Sequence, residues 1–203
     1  MTDSRKAIIF DFGNVLVHWD VHRIFGRFFA DPAAVDSFLT EVRYPEWNER
    51  LDAGLPFAKG VAELSQAFPQ YAHIFRAYDK SWLDGVTGPI HGSVDILQRL
   101  KQAGHPLFVL SNFSAEKFVH MWEQYSFVSL FDEIILSGEH HLIKPDPAFF
   151  QVALHRIGRP PQECIFIDDH LPNIETARKL GMVVIHFQSP EQLERELKAQ
   201  KIL

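Results

Sequence analysis

A run of four apolar residues, Ala7-Ile8-Ile9-Phe10, ends in Asp11 and passes at once into Phe12-Gly13-Asn14-Val15-Leu16. A short apolar run of this kind reads as a strand buried on both faces. A carboxylate at the C-terminal end of such a strand, opening into a glycine-containing turn, sits where open α/β sheets place their ligands. A second run, Cys164-Ile165-Phe166-Ile167, ends in Asp168-Asp169. Two strand ends that present acid along one sheet edge can hold a divalent cation, and can leave one carboxylate free to attack an electrophile.

The remaining pattern predicts how those ends meet. From about residue 20 to 85 the chain is rich in Phe, Trp and Tyr, its apolar residues recur at helical spacing, and no convincing strand is visible. Asp31-Pro32 marks a helix start, and Pro45, Pro56 and Pro69 divide the region into short helices. After Gly88-Pro89 strands and helices alternate: a helix over 90–103 closed by Gly104, a strand over 107–110, a helix from Ser114 to Tyr125 and a strand over 133–136. A helix opened by Asp146-Pro147 ends near Gly158, a strand runs over 165–168, a helix over 171–180, and a strand over 182–187. Ser189-Pro190-Glu191-Gln192 then opens the last helix as a capping box. Such alternation means a parallel sheet with helices on both faces. The expected fold class is therefore α/β, a Rossmann-like parallel sheet sandwiched by helices, with an inserted small α-helical cap. The expected core is residues 1–16 and 89–203, and the expected cap residues 17–88.

Composition narrows the function. Of 203 residues, 46% are hydrophobic and 23% charged, enough apolar content to fill a core. The net charge is −6 with no basic stripe, so nucleic acid is excluded as an expected partner. An acidic chain acting on an anion needs local positive charge from a metal or a placed lysine. The single cysteine, Cys164, lies in an apolar run and reads as a buried inert thiol. Neither a signal peptide nor a membrane-length apolar run is visible, so the expected location is the cytoplasm, with no membrane partner, as monomer or homodimer.

Four stations fall at predicted strand ends or just beyond: Asp11, Ser111-Asn112, Lys144 and Asp168-Asp169. Singly each has a plain reading, since Asp11 could cap a turn, Ser111 could open a helix and Lys144 could be solvated. Together they supply a nucleophile, a hydroxyl donor, a cation and metal ligands, the parts that phosphoryl transfer needs. Asp146 is assigned to helix capping. His140-His141 is not read as a metal site, because adjacent side chains point apart.

The four stations also resemble, in order, the motifs of the haloacid dehalogenase-like hydrolase superfamily. Phe10-Asp11-Phe12-Gly13-Asn14-Val15-Leu16 resembles the first, Leu110-Ser111-Asn112 the second, Lys144-Pro145-Asp146-Pro147 the third, and the run from Phe166 to Ala177 the fourth. The helical insert resembles the superfamily's α-helical cap, and the Asp-x-Gly-Asn-Val form resembles bacterial sugar-phosphate phosphatases of the glucose-1-phosphatase kind. The resemblance implies that Asp11 is the nucleophile, forming an aspartyl-phosphate, and binds Mg²⁺ with its other oxygen. It implies a further Mg²⁺ contact from the Gly13 carbonyl, contacts from Asp168 and Asp169 made directly or through water, and phosphate contacts from Ser111 and the Asn112 N–H. Lys144 would neutralise charge between Asp11 and the phosphoryl group. The implied activity is Mg²⁺-dependent hydrolysis of a small phosphorylated metabolite, with a sugar phosphate expected.

Two positions depart from the pattern. Many relatives carry glycine at position 141. Most phosphatases of the superfamily also carry an aspartate at position 13, where Gly13 can neither protonate a leaving alkoxide nor activate water. That help is typically worth roughly 10²–10⁴ in rate. His18 or Asp20 could substitute, or the leaving group could be a good one, such as the anomeric oxygen of a sugar 1-phosphate. The same gap supports an alternative, a metal-free 2-haloacid dehalogenase using Asp11 and a cap arginine such as Arg43. Asp168-Asp169 argues against it, because paired acids beside Asp11 without a cation would repel. A second alternative is a non-catalytic binding or regulatory protein of the same fold. Trp19, Glu46, Trp47, Asn48, Arg50 and Trp82 are the cap's candidate substrate contacts.

Overall fold

The buried run at the start of the chain forms β1 (Ala7–Phe10) in a computed structural model that describes residues 5–203. Residues 1–4, which carry most of the N-terminal reading, lie outside the described residues. The other strands are β2 (Val17–Trp19), β3 (Val86–Pro89), β4 (Leu107–Ser111), β5 (Glu133–Leu136), β6 (Cys164–Asp168) and β7 (Val183–His186). Five of them make one parallel sheet in the order β5-β4-β1-β6-β7. The chain leaves β1 toward β4 and β5 and later returns to β6 and β7 on the other side. The strand order therefore reverses at β1, and the crevice beyond its C-terminal end is the sheet's switch point.

Alternation along β1 sends its side chains into two cores. Ile8 and Phe10 pack with Leu97, Leu100, Leu193 and Leu197, from α6 (His91–Gln102) and α11 (Pro190–Ala199). Ala7 and Ile9 pack with Phe149, Phe150 and Ile174, from α9 (Pro147–Ile157) and α10 (Leu171–Lys179). The sheet is thus covered on both faces, as the strand–helix alternation requires. Cys164 is buried in the second core, and burial pushes its thiol up to about 11.

The helical segment between β2 and β3 contains α1 (Val21–Phe25), α2 (Pro32–Glu41), α3 (Tyr44–Asp52), α4 (Phe57–Ala67) and α5 (Ala72–Ser81). The core adds α7 (Ala115–Gln124) and the short α8 (Ser137–His140). The predicted caps form: Asp31 accepts from the Ala34 N–H at 2.8 Å, Asp146 from that of Ala148 at 2.9 Å, and Ser189 from that of Gln192 at 3.2 Å. The reciprocal half of the capping box shifts by one residue, since Gln192 Oε1 accepts from the Gln188 N–H.

What the helical periodicity did not announce is the antiparallel pairing of β2 with β3, Val17 against Pro89 and Trp19 against Val86. The two strands are the stems on which the helical cap leaves and re-enters the core. The turn after α3 is then pinned to the core. Ser137 Oγ donates to the Asp52 carbonyl at 2.5 Å, and the His141 ring meets the Ala53 carbonyl at 2.9 Å. His141 itself takes the left-handed conformation (φ 55°), which explains why glycine suits that position. Across the seam Gly54 has φ +95°, and a Cβ there would stand 2.6 Å from the Gly138 carbonyl oxygen. Among the described residues no helix is long and apolar enough to cross a membrane.

Candidate active site

Asp11 follows β1 directly, and its N–H extends the ladder to the Ile167 carbonyl at 2.8 Å. The chain then turns sharply, helped by Asn14 in the left-handed region (φ 54°). Three donors converge on one oxygen of the Asp11 carboxylate. Oδ1 accepts from the Phe12 N–H at 2.6 Å and from Ser111 Oγ at 2.8 Å, and Lys144 Nζ lies 3.0 Å from it. Oδ2 has no hydrogen bond among the described residues, so it is available to a ligand.

Lys144 is placed by its neighbour across the site. Its backbone N–H donates to Asn112 Oδ1 at 2.7 Å, and Asn112 Nδ2 donates to the Lys144 carbonyl at 2.9 Å. The Asn112 side chain therefore positions the lysine. The ammonium, on a residue only 3% exposed, bridges Asp11 and Asp168, at 2.7 Å from Asp168 Oδ2. Asp168, fully buried, is saturated: its carboxylate also accepts from the His170 N–H at 2.7 Å and from Asn173 Nδ2 at 3.0 Å. Asp169, by contrast, makes no side-chain hydrogen bond among the described residues and faces the cavity.

Asp11, Asp168 and Asp169 each bring a carboxylate oxygen within 4.8 Å of the others. With all three ionised, one ammonium leaves the cluster two negative charges in excess. Burial pushes the Asp11 carboxyl up to about 7; Lys144 and the Ser111 hydroxyl oppose the rise, while Asp168 and Asp169 add to it. Burial, then Asp168, also raises Asp169. Burial alone would lower Lys144, but Asp11 and Asp168 outweigh it and raise it. A cluster of oxygen ligands with excess negative charge, an unengaged Asp11 oxygen and an unengaged Asp169 carboxylate fits a hard divalent cation.

A cavity of about 190 Å³ opens over this cluster. Its core side is Asp11, Gly13, Asn14, Ser111, Asn112 and Asp169, and its cap side is Trp19, Asn48, Asp52 and Trp82. The Trp19 and Trp82 rings lie 4.7 Å apart, centre to centre, as an apolar wall. Gly13 leaves open space where a side chain would stand.

Several sequence candidates lie elsewhere. Trp47 is in the cap core, donating through Nε1 to the Gly60 carbonyl at 3.1 Å. Glu46 pairs with Arg43, and Arg50 with Glu63, on the cap's surface. Arg43 is exposed and lines no part of the cavity, which removes the carboxylate-binding arginine from the site. His18 points to solvent from β2, and Asp20 caps α1 by accepting from the His22 N–H at 2.9 Å, so neither lines the cavity. Conversely, the cavity contains an acid the sequence reading passed over, Asp52. Its one sequence signal is its spacing from Asn48, which puts both on one face of α3.

Several known proteins resemble this chain. A family model described as haloacid dehalogenase-like hydrolase matches residues 8–187. A drimenol cyclase of Aspergillus calidoustus is 29% identical over 201 residues, 95% of this chain, although the chain spans only 36% of that relative's length. A sesquiterpene phosphatase of Aspergillus oryzae is 26% identical over 195 residues, 92% of each chain. A (S)-2-haloacid dehalogenase of Burkholderia cepacia is 26% identical over 202 residues, 92% of this chain and 84% of the other. Among solved structures, a predicted hydrolase of Porphyromonas gingivalis superposes with a TM-score of 0.76 at 22% identity, covering 98% of each chain. An enzyme of Bacteroides thetaiotaomicron, solved with magnesium and inorganic phosphate, superposes with a TM-score of 0.72 at 20% identity, covering 91% of this chain and 95% of the other.

Proposed function

The chain belongs to the haloacid dehalogenase-like hydrolase family, and from that premise we propose that it is an Mg²⁺-dependent phosphatase acting on a small phosphorylated metabolite. The observation that carries the reading is the convergence of Asp11, Asp168 and Asp169 with, among the described residues, one ammonium between them, because such a site calls for a cation. Asp11 Oδ2 and the Asp169 carboxylate, both unengaged, would hold the ion directly with the Gly13 carbonyl, while Asp168, saturated by Lys144 and Asn173, supports the set. When bound, Mg²⁺ would neutralise phosphoryl oxygens and draw them toward Asp11.

In this reading Asp11 attacks phosphorus and becomes an aspartyl-phosphate, which water then hydrolyses. Lys144 holds the Asp11 carboxylate in place and balances its charge. Ser111, next to Asp11, and the Asn112 backbone N–H receive the phosphoryl group. Residues 17–88 act as the cap over a core of residues 1–16 and 89–203. The Trp19–Trp82 wall facing polar Asn48 and Asn14 suits a sugar phosphate, whose ring is apolar on its faces and polar at its rim. The fungal phosphatase relative is named for a terpenoid, so a panel of sugar phosphates and prenyl phosphates decides between the two classes.

The test is phosphate release from p-nitrophenyl phosphate. Activity should need Mg²⁺, vanish in EDTA and vanish in Asp11→Asn, which keeps size and removes the attacking charge. The dehalogenase relative makes the second reading concrete. Equal rates in EDTA would remove the phosphatase reading, and chloride release from a 2-chloro acid under those conditions would install the other.

A further inference from the structure

A departing alkoxide needs a proton, and water attacking an acyl-phosphate must lose one. Gly13 offers neither, and His18 and Asp20 do not reach the cavity. The cavity's ionisable side chains, among the described residues, are Asp11, Asp169 and Asp52. The first two belong to the carboxylate cluster. Asp52 does not, and a buried network is built around it.

Tyr44 and Tyr78, both buried, each have a hydroxyl 3.1 Å from Asn48 Oδ1 and 3.1 Å from the other's hydroxyl. With its oxygen taken by the phenols, Asn48 must aim its amide N–H toward Asp52, and Nδ2 donates to Asp52 Oδ2 at 2.8 Å. The Ser114 backbone N–H also acts on this carboxyl, favouring its charged form. Ser137 Oγ fixes the Asp52 carbonyl at 2.5 Å, so a cap residue is held in register with the core. Two buried tyrosines, an asparagine and two serines thus fix one cap carboxyl in the wall of the cavity that Asp11 shares.

We propose that Asp52 is the acid–base residue of the reaction, a role that rests on the phosphatase reading above. In the first step an Asp11 oxygen bonds to phosphorus as the ester O–P bond breaks. The Asp52 proton passes to the departing oxygen, which leaves as a neutral alcohol. In the second step water oxygen bonds to phosphorus as the bond from phosphorus to Asp11 breaks. The water proton passes to Asp52, so the Asp11 carboxylate and the Asp52 acid are both restored. Burial, then the charges of Asp11 and Glu49, hold the Asp52 carboxyl well above the ordinary carboxylate range, which favours its protonated form; the Ser114 N–H opposes this. Tyr44 and Tyr78 face it as neutral phenols, both raised by burial.

The test compares Asp52→Asn with wild type on p-nitrophenyl phosphate and on glycerol phosphate, in Mg²⁺. For glycerol phosphate kcat/KM should fall roughly 10²–10⁴-fold, because an alkoxide must be protonated. For p-nitrophenyl phosphate, whose phenolate leaves unaided, kcat/KM should change less than about tenfold. Loss of the base should also slow the second step, so rapid mixing should show a burst of p-nitrophenol. An equal fall for both substrates without a burst, or no fall for either, would overturn the proposal. Should Asp52→Asn fail to fold, Asp52→Glu answers the same question. It keeps the acid but moves it by one methylene, so glycerol phosphate should slow more than p-nitrophenyl phosphate, and an equal effect on both substrates would count against the proposal. The two readings fail separately. A wild type inert toward every phosphate ester removes both, whereas an active wild type, a dead Asp11→Asn and a normal Asp52→Asn remove only this one.

Discussion

Lys144→Met tests the charge balance of the site without reference to substrate. Methionine is close in length, so packing is largely kept while the ammonium is lost. In the folded protein that ammonium lies 2.7 Å from Asp168 and 3.0 Å from Asp11, on a residue 3% exposed. Removing one partner of a buried pair costs about 3–5 kcal/mol, because the remaining charge is left without compensation. For a domain of this size each kcal/mol moves Tm by about 2–4 °C, so the variant should melt about 6–20 °C lower in EDTA at pH 8. Two conditions should shrink that deficit. At pH 5 the clustered carboxyls can take up protons, and at pH 8 millimolar Mg²⁺ can supply the missing positive charge. Thermal melts followed by circular dichroism read all three. A variant that melts within about 2 °C of wild type in EDTA at pH 8 would refute the buried-pair argument. A deficit equal at pH 5 and pH 8 would show lost packing instead of lost charge.

Two further outcomes follow from the geometry. Asp11 has its carboxyl raised from an ordinary 3.8 to about 7, so between those values the folded metal-free protein binds more protons than the unfolded chain, and stability falls as pH rises through that window. Raised Asp169 and Asp52 act in the same direction, while the lowered surface carboxyls of Glu46, Glu191, Glu194 and Asp132 act oppositely and only at lower pH. Melts in EDTA that rise steadily from pH 5 to pH 8 would contradict this. Gly54→Ala forces a Cβ to within 2.6 Å of the Gly138 carbonyl oxygen at φ +95°, so it should lower stability by about 1–3 kcal/mol and loosen the cap seam, seen as faster amide exchange around Ala53 and Gly138.

The core was legible because its signals are local and its geometry is generic. Apolar runs ending at Asp11, Ser111 and Asp168 are short enough to read directly, and any parallel sheet brings such ends to one edge. The cap was legible only as helices. Its periodicity says which residues of a helix share a face, but not which element that face meets. Trp47 and Trp82 look alike in sequence, yet one donates to the Gly60 carbonyl inside the cap and the other lines the cavity. Arg43 and Arg50 were equally plausible as ligand contacts and instead pair with Glu46 and Glu63 on the outside. The same limit hid Asp52. Its partner Asn48 is visible one helical turn away, but Tyr78 comes from α5 and Ser114 and Ser137 come from the core. Those contacts exist only once the cap has docked through β2 and β3, strands too short for any periodicity to reveal. On the proposed reading, the residues that bind and activate phosphate are written into the sheet's own edge, while the proton depends on how the insert is docked. A cap that swings away takes Asp52 with it and leaves Asp11, Lys144 and Asp169 in place. On that reading, docking of the cap and supply of the proton are the same event.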